Sequence, residues 1–252
     1  MFAAFQFPPI DELFRWKDIA FKGAPFAINK TSLLVFISSA LLVLIFVGGS
    51  RRMKLIPKRL QNVLEVTHEF IDRGIVRDVI GDDAARFTPF LGSLFLFILF
   101  LNLWEVIPFM QFPPTSRIAI PAYLAIQTYL IMLFFGFKTQ GFRYVTSVAW
   151  PRDVPIGLRW FVGFIELISV FLVRPFSLAV RLLANMMAGH ILLTALALLT
   201  AYALSNAPII AVGPFAMLVG VTGFELLVAF LQAYIFTLLT AVYLDDSLHP
   251  AH

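Results

Sequence analysis

Four residues stand out in an otherwise apolar stretch, RPFSLAVRLLANMMAGHILL from Arg174 to Leu193: two arginines, Asn185 and His190. A cation at the centre of a membrane helix costs roughly 2.5–3.5 kcal/mol on insertion scales, so Arg181 needs a partner or a water-filled surface. On a helical wheel Arg174, Ser177, Leu178, Ala184, Asn185 and Ala188 share its face, within about 60°. That face is small and polar apart from Leu178, and small residues let another helix approach closely. His190 follows Arg181 by nine residues, which sends it to nearly the opposite face, about 13 Å along the axis. An imidazole that titrates near neutral pH is a natural proton carrier.

A second polar stripe lies further on. Thr222, Glu225, Ala229 and Gln232 fall on one helical face at i, i+3, i+7 and i+10. A buried carboxyl there must be protonated or paired. Asn102 and Glu105 lie one turn apart in a third apolar run. Glu166 and Ser169 share a side near the start of a fourth. Each has a plain structural reading as well. Arg181 could be pinned by an acid within the bundle, and Arg174 could snorkel to the interface. Gln232 could be interhelical glue, and Asn102, Glu105 and Glu166 could be ordinary interfacial groups.

The elements that carry these residues follow from composition. Of the 252 residues, 60% are hydrophobic and 13% charged, with mean hydropathy +0.88. Soluble domains carry about 25% charged residues, so the expected fold class is an all-α polytopic membrane protein. About five membrane-embedded helices are expected, with an amphipathic helix on the inner surface. The whole chain, 1–252, reads as one membrane domain. With no cysteine, disulfides, thiolates and Cys-ligated metals are excluded. No cofactor or metal is expected. The net charge of +4 is small and one-sided, which argues for topology and against nucleic acid.

Residues 1–30 mix aromatics with Asp11, Glu12, Arg15 and Lys17 and read as an outer interfacial segment. They carry no basic region ahead of their apolar residues and are broken by Pro8 and Pro9, so no secretory signal is expected. Leu33 to Gly49 is a first span. Arg51, Arg52, Lys54, Lys58 and Arg59 follow it and mark the inner side, which leaves the N-terminus outside. Residues 57–80 place Leu60, Val63, Leu64, Ile71 and Ile75 on one face, which suits a helix lying on the inner surface until Gly81, Asp82 and Asp83 break it. Phe87 to Pro108 runs outward and Ile118 to Phe137 returns. The loop from Lys138 to Arg159 carries four basic residues against Asp153 and is again inside. Trp160 to about Tyr202 is too long for an upright span and holds Pro175. Asn206, Pro208 and Pro214 mark a turn before the equally long Phe215 to Leu244. Residues 160–245 are therefore expected to form a tilted helical hairpin.

In this topology Asn102, Glu105, His190 and Glu225 fall toward the outer half. Glu166, Ser169 and Arg174 fall toward the inner half, with Arg181 between them. A cation path through such a layout meets a fixed positive charge midway. It would form two offset half-paths separated by an electrostatic barrier.

These residues resemble a family. RPFSLAVRLLANMMAGH is similar to the hallmark of subunit a of F-type ATP synthase, the membrane stator that faces the rotating c-ring. The pattern is filled by Pro175, Ser177, Arg181, Leu182, Asn185, Met186, Ala188 and Gly189. ELLVAFLQAYIFTLLTAVYL resembles the family's last-helix motif through Gln232, Ala233 and Phe236. NLWEVIP resembles its Asn-Leu-x-acid-x-x-Pro stretch through Asn102, Glu105 and Pro108. The resemblance runs from about Leu33 to the C-terminus, and the first thirty residues carry no matching motif.

The resemblance implies that Arg181 is the stator arginine, with Asn185 and Gln232 as its polar neighbours. His190 and Glu225 take the positions of an outer polar pair, histidine first and acid second, the order of mitochondrial-type members. Asn102 and Glu105 resemble other outer residues, and Glu166 stands one residue out of step with an inner acidic position. A non-catalytic proton-translocating subunit is implied, in contact with the c-ring, the peripheral-stalk b subunits and the rest of the ATP synthase. A multi-pass place in a bacterial plasma membrane is expected, with a mitochondrial inner membrane as the alternative and the C-terminus inside. Two rival readings are a secondary transporter with Arg181 at a midplane anion site and a purely structural assembly subunit. The absence of a repeated half or of paired broken helices speaks against the transporter.

Overall fold

The computed structural model describes residues 29–50, 59–107, 110–150 and 155–248. The expected interfacial segment 1–30 therefore lies outside the described residues except for its last two. The elements are α1 (Lys30–Ser50), α2 (Arg59–Ile71), a π-helical turn (Asp72–Val76), α3 (Arg77–Ile80) and a 3₁₀ turn (Gly81–Arg86). Then come α4 (Thr88–Leu103), a 3₁₀ turn (Pro114–Ser116), α5 (Ala119–Gln140) and α6 (Arg143–Ala149). The chain ends with α7 (Arg159–Ile168), a second π-helical turn (Ser169–Val173), α8 (Arg174–Asn206) and α9 (Pro208–Leu248). No strand occurs among the described residues. The chain is an all-α polytopic membrane protein.

Lys30–Gly48, Ala119–Gln140, the continuous rod Arg159–Asn206 and Pro208–Leu248 are each long and apolar enough to cross a bilayer, and Thr88–Leu103 is a shorter apolar helix. Their outward side chains are large and apolar: Phe36 is 66% exposed, Leu44 69% and Ile209 91%. Water would not tolerate so much exposed apolar surface, whereas acyl chains are its natural solvent.

The structure differs from the sequence expectations at three places. The third apolar run stops being helical at Leu103, and Trp104 to Ile107 turn away, so Glu105 stands beyond the helix that carries Asn102. The turn between the last two long helices is confined to Ala207. Pro208 opens α9, where its missing N–H costs nothing, and Pro214 lies within that helix. The apolar arc of α2 is also split. Ile71, Ile75 and Val76 are buried in the protein, whereas Val63 is 62% and Val66 58% exposed. Ile71 is a core residue, so only the other edge of the arc is left to meet lipid or a partner. Gly81, at φ +70°, ends α3 in a conformation that side-chain-bearing residues rarely adopt.

Two compact units divide the described chain. The first takes its residues from Met1–Val43, Phe97–Arg117 and Leu182–Ala233; the second from Leu44–Leu96, Ile118–Arg181 and Tyr234–His252. In the first, Leu34, Ile98, Leu101, Phe112, Leu182 and Met186 are buried. The indole N–H of Trp104 donates to Ser38 Oγ at 2.7 Å, which ties α1 to the end of α4. In the second, Ile71, Ile75, Phe87, Leu91, Leu124, Met132 and Leu244 form the core. The Phe87 and Phe135 rings meet edge to face, 4.9 Å apart.

Candidate functional site

The first unit brings the four outer candidates together. Asn102 is fully buried on α4, and its Oδ1 accepts a hydrogen bond from Thr115 Oγ1 at 2.8 Å. Glu105, 3% exposed, lines a cavity of about 290 Å³ together with His190, Gln111, Thr194 and Thr222. Leu193, Leu198 and Leu218 supply an apolar wall. The space is large enough for a chain of waters, and its polar groups offer them partners. Glu105 Oε1, Asn102 Nδ2 and Glu225 Oε2 are buried without a hydrogen-bond partner among the described residues. Unsatisfied buried polar atoms are rare, and the neighbouring cavity is roomy and polar enough for water to reach them.

Glu225, 4% exposed on α9, reaches α8 at the residue before His190. A Cβ built on Gly189 would stand 2.6 Å from the carboxyl carbon and from both oxygens of Glu225. The carboxyl thus rests on bare backbone, a place only glycine leaves open. The Glu225 carboxyl therefore stands against the residue that precedes His190 in α8.

A loop covers this group. Lys30 Nζ donates to the Met110 carbonyl at 2.7 Å. Gln111 follows with φ 40°, in the left-handed region. Such a backbone costs a non-glycine residue of the order of 1–3 kcal/mol and persists only where the surroundings impose it. Phe112, fully buried, meets the His190 ring edge to face at 5.7 Å and 88°.

Asn185 and Gln232 also meet: Asn185 Nδ2 donates to Gln232 Oε1 at 2.6 Å. Gln232 is buried and its Nε2 lacks a partner among the described residues. The amide pair ties α8 to α9 and leaves the Gln232 Nε2 group with both of its N–H donors available among the described residues.

The inner candidates belong to the second unit. The Arg174 N–H bonds back five residues to the Ser169 carbonyl, which closes the second π-helical turn. Pro175 explains its place. A proline ring crowds the carbonyl four residues back in a regular helix, and a widened turn relieves that crowding. The turn inserts one residue into the helical register. Eight α-helical residues would set Glu166 and Arg174 about 80° apart, and the insertion takes out about 100°, leaving the two nearly in line. Arg174 is held by Asp246 at 2.7 Å, with its guanidinium 4.9 Å from the Tyr243 ring centre. Glu166 and Ser169 are half-buried. Arg181 is half-buried on α8, and no ion pair or hydrogen bond reaches it among the described residues.

Sequence reasoning overlooked Phe112, Gln111, Thr115, Thr194 and Asp246. Only Thr194 left a signal, four residues after His190 on the same helical face. The others reach their partners across long loops or from separate elements.

Comparison with known proteins bears on this arrangement. The family model described as ATP synthase A chain matches residues 32–245. The ATP synthase subunit a of Frankia alni is 40% identical, over 97% of this chain and 87% of the relative. That of Rhodopseudomonas palustris strain BisB5 is 39% identical, over 91% of this chain and 92% of its own. That of Rhodobacter capsulatus is 37% identical, over 96% and 98%. The matched span contains the buried pair on α8 and α9, the amide bridge and Arg181, and the chain belongs to the ATP synthase A chain family.

Proposed function

We propose that this chain is the stator subunit of the ATP synthase membrane sector and provides two offset proton half-channels that drive rotation of the c-ring. The observation that carries the reading is Arg181, a half-buried cation in an apolar helix with no acidic partner among the described residues. The carboxylate that compensates it comes from another chain, and a c-ring carboxylate turning past supplies one transiently.

A proton enters from outside through the cavity beside Glu105 and passes to His190 and Glu225, with Asn102 at the outer end. It neutralises a c-subunit carboxylate, which then turns into lipid at low cost because it is uncharged. After nearly a full rotation the site meets the inner half-channel at Glu166, Ser169 and Arg174 and releases its proton. Asp246 holds Arg174 in place there. Arg181 favours the ionised form of the passing carboxylate by its charge and blocks direct leak between the half-channels. Asn185 and Gln232 order the surroundings of that arginine. The membrane potential contributes about 2.3 kcal/mol per charge per 100 mV. ATP chemistry belongs to other subunits, and the b subunits of the peripheral stalk hold this chain against the torque. The N-terminus lies outside and the C-terminus in the cytoplasm of a bacterial cell, with 57–80 along the inner surface.

The test is Arg181→Ala in the assembled complex, with ATP-driven proton pumping measured in inverted vesicles. Pumping is expected to be abolished and the passive proton leak raised. Normal pumping by an intact complex would overturn the reading and favour a structural role.

A further inference from the structure

We propose that Phe112 is a positioning residue for His190, and that the loop bearing it sets the imidazole's orientation toward the cavity. The inference rests on the reading of His190 as a proton-relay group. Phe112 is fully buried, yet it is not among the residues that line the cavity. Its ring stands at 88° to the imidazole with 5.7 Å between centroids. His190 therefore has open, polar space on one side and an aromatic wall on another. A rotamer change of the imidazole is resisted by that wall, and a relay group works only while its nitrogens stay within hydrogen-bond reach of donor and acceptor.

The loop is fastened well enough to serve. Lys30 holds the Met110 carbonyl at 2.7 Å. Thr115 is tied to Asn102 at 2.8 Å. Arg117 sets its guanidinium 5.9 Å from the centre of the Phe112 ring. The left-handed backbone at Gln111, φ 40°, lies directly before Phe112 and turns the chain at the cavity's edge. The charged and titratable groups around His190 are Glu105 across the cavity, Glu225 on Gly189, Arg117 beyond the Phe112 ring and Lys30 at the loop's anchor. A shift of the imidazole changes its distance from each of them, so loss of the wall alters the pH dependence of transport as well as its rate.

The test compares ATP-driven pumping across pH 6 to 9 in vesicles holding the intact complex. The chains are the unaltered one, Phe112→Leu, Phe112→Tyr, His190→Gln and Phe112→Leu with His190→Gln. Phe112→Leu is expected to slow pumping several-fold and displace its pH profile. Phe112→Tyr, which keeps the ring, is expected to restore the profile, and Phe112→Leu is expected to add nothing once His190 is Gln. Phe112→Met fills similar volume without a ring and stands in if Phe112→Leu does not assemble. An unchanged profile in assembled Phe112→Leu or Phe112→Met, with His190→Gln impaired, overturns the positioning role alone. Normal pumping by His190→Gln overturns the relay reading and the positioning role with it.

Discussion

Single atoms decide the outer site. The Glu225 carboxyl occupies the space where any residue but glycine at 189 would carry its Cβ. Gly189→Ala should leave α8 intact, since alanine is the better helix former by about 1 kcal/mol. The carboxyl, at the free end of a flexible side chain, has to move away instead. Assembly and thermal stability of the complex are therefore expected to stay close to those of the parent, while pumping falls. Pumping at the parent's rate would show that the Glu225 position is immaterial. Arg174 makes the opposite point. Its pair with Asp246 is short, but Asp246 is half in the open, and exposed pairs contribute about 0–1 kcal/mol. The pair fixes a geometry more than it stabilises a fold.

At the scale of elements, the two π-helical turns both sit where a helix must change what it faces. Ser169–Val173 absorbs Pro175 and realigns Glu166 with Arg174. Asp72–Val76 buries Asp72, which accepts from Thr88 Oγ1 at 2.8 Å and from Arg77 Nε at 2.7 Å. The Thr88 hydrogen bond and the Arg77 charge hold this carboxyl below its usual range, against the opposing effect of burial. A depressed folded-state value means that the stabilisation is fully present above the unfolded value, about 3.9. It fades as pH falls through the lower folded value. Amide protection across 72–88, taken relative to the intrinsic exchange rate at each pH, is therefore expected to fall selectively on acidification below about pH 4, and Asp72→Ala should abolish that pH step. Asp72→Ala also removes the acceptor of the Thr88 hydroxyl's hydrogen bond at 2.8 Å. A protection factor in this segment that does not change with pH would contradict the assignment.

For the whole molecule, the question is which side each loop faces. In the proposed topology the loop around 138–159 faces inside and the loop that carries Gln111 faces outside. The chain has no cysteine, so a single introduced thiol reports without background. Phe142 is 90% exposed, and Phe142→Cys is expected to react with an impermeant reagent in inverted vesicles and not in intact spheroplasts. Gln111→Cys should show the reverse. The opposite pattern would invert the topology and move the cavity beside Glu105 to the cytoplasmic side.

How much was legible in the sequence depends on the range of the interactions concerned. Hydropathy and the positive clusters are sums over neighbours in the chain. They give the fold class, the apolar helices and the distribution of polar residues among them, because a bilayer forces every spanning segment to satisfy its backbone within itself. Residues that match a motif along one helix, such as Arg181, Asn185, Gly189 and His190, are visible for the same reason. What needed tertiary structure is contact between segments far apart in sequence. The Glu225 carboxyl on Gly189, Phe112 against His190, Lys30 on the Met110 carbonyl and Asp246 on Arg174 join such segments. Nothing in the local pattern of either partner announces the other. The early end of α4 and the split arc of α2 were equally hidden. A run of apolar residues looks the same whether its surroundings are lipid or protein, and only the packed chain decides which of its faces meets which.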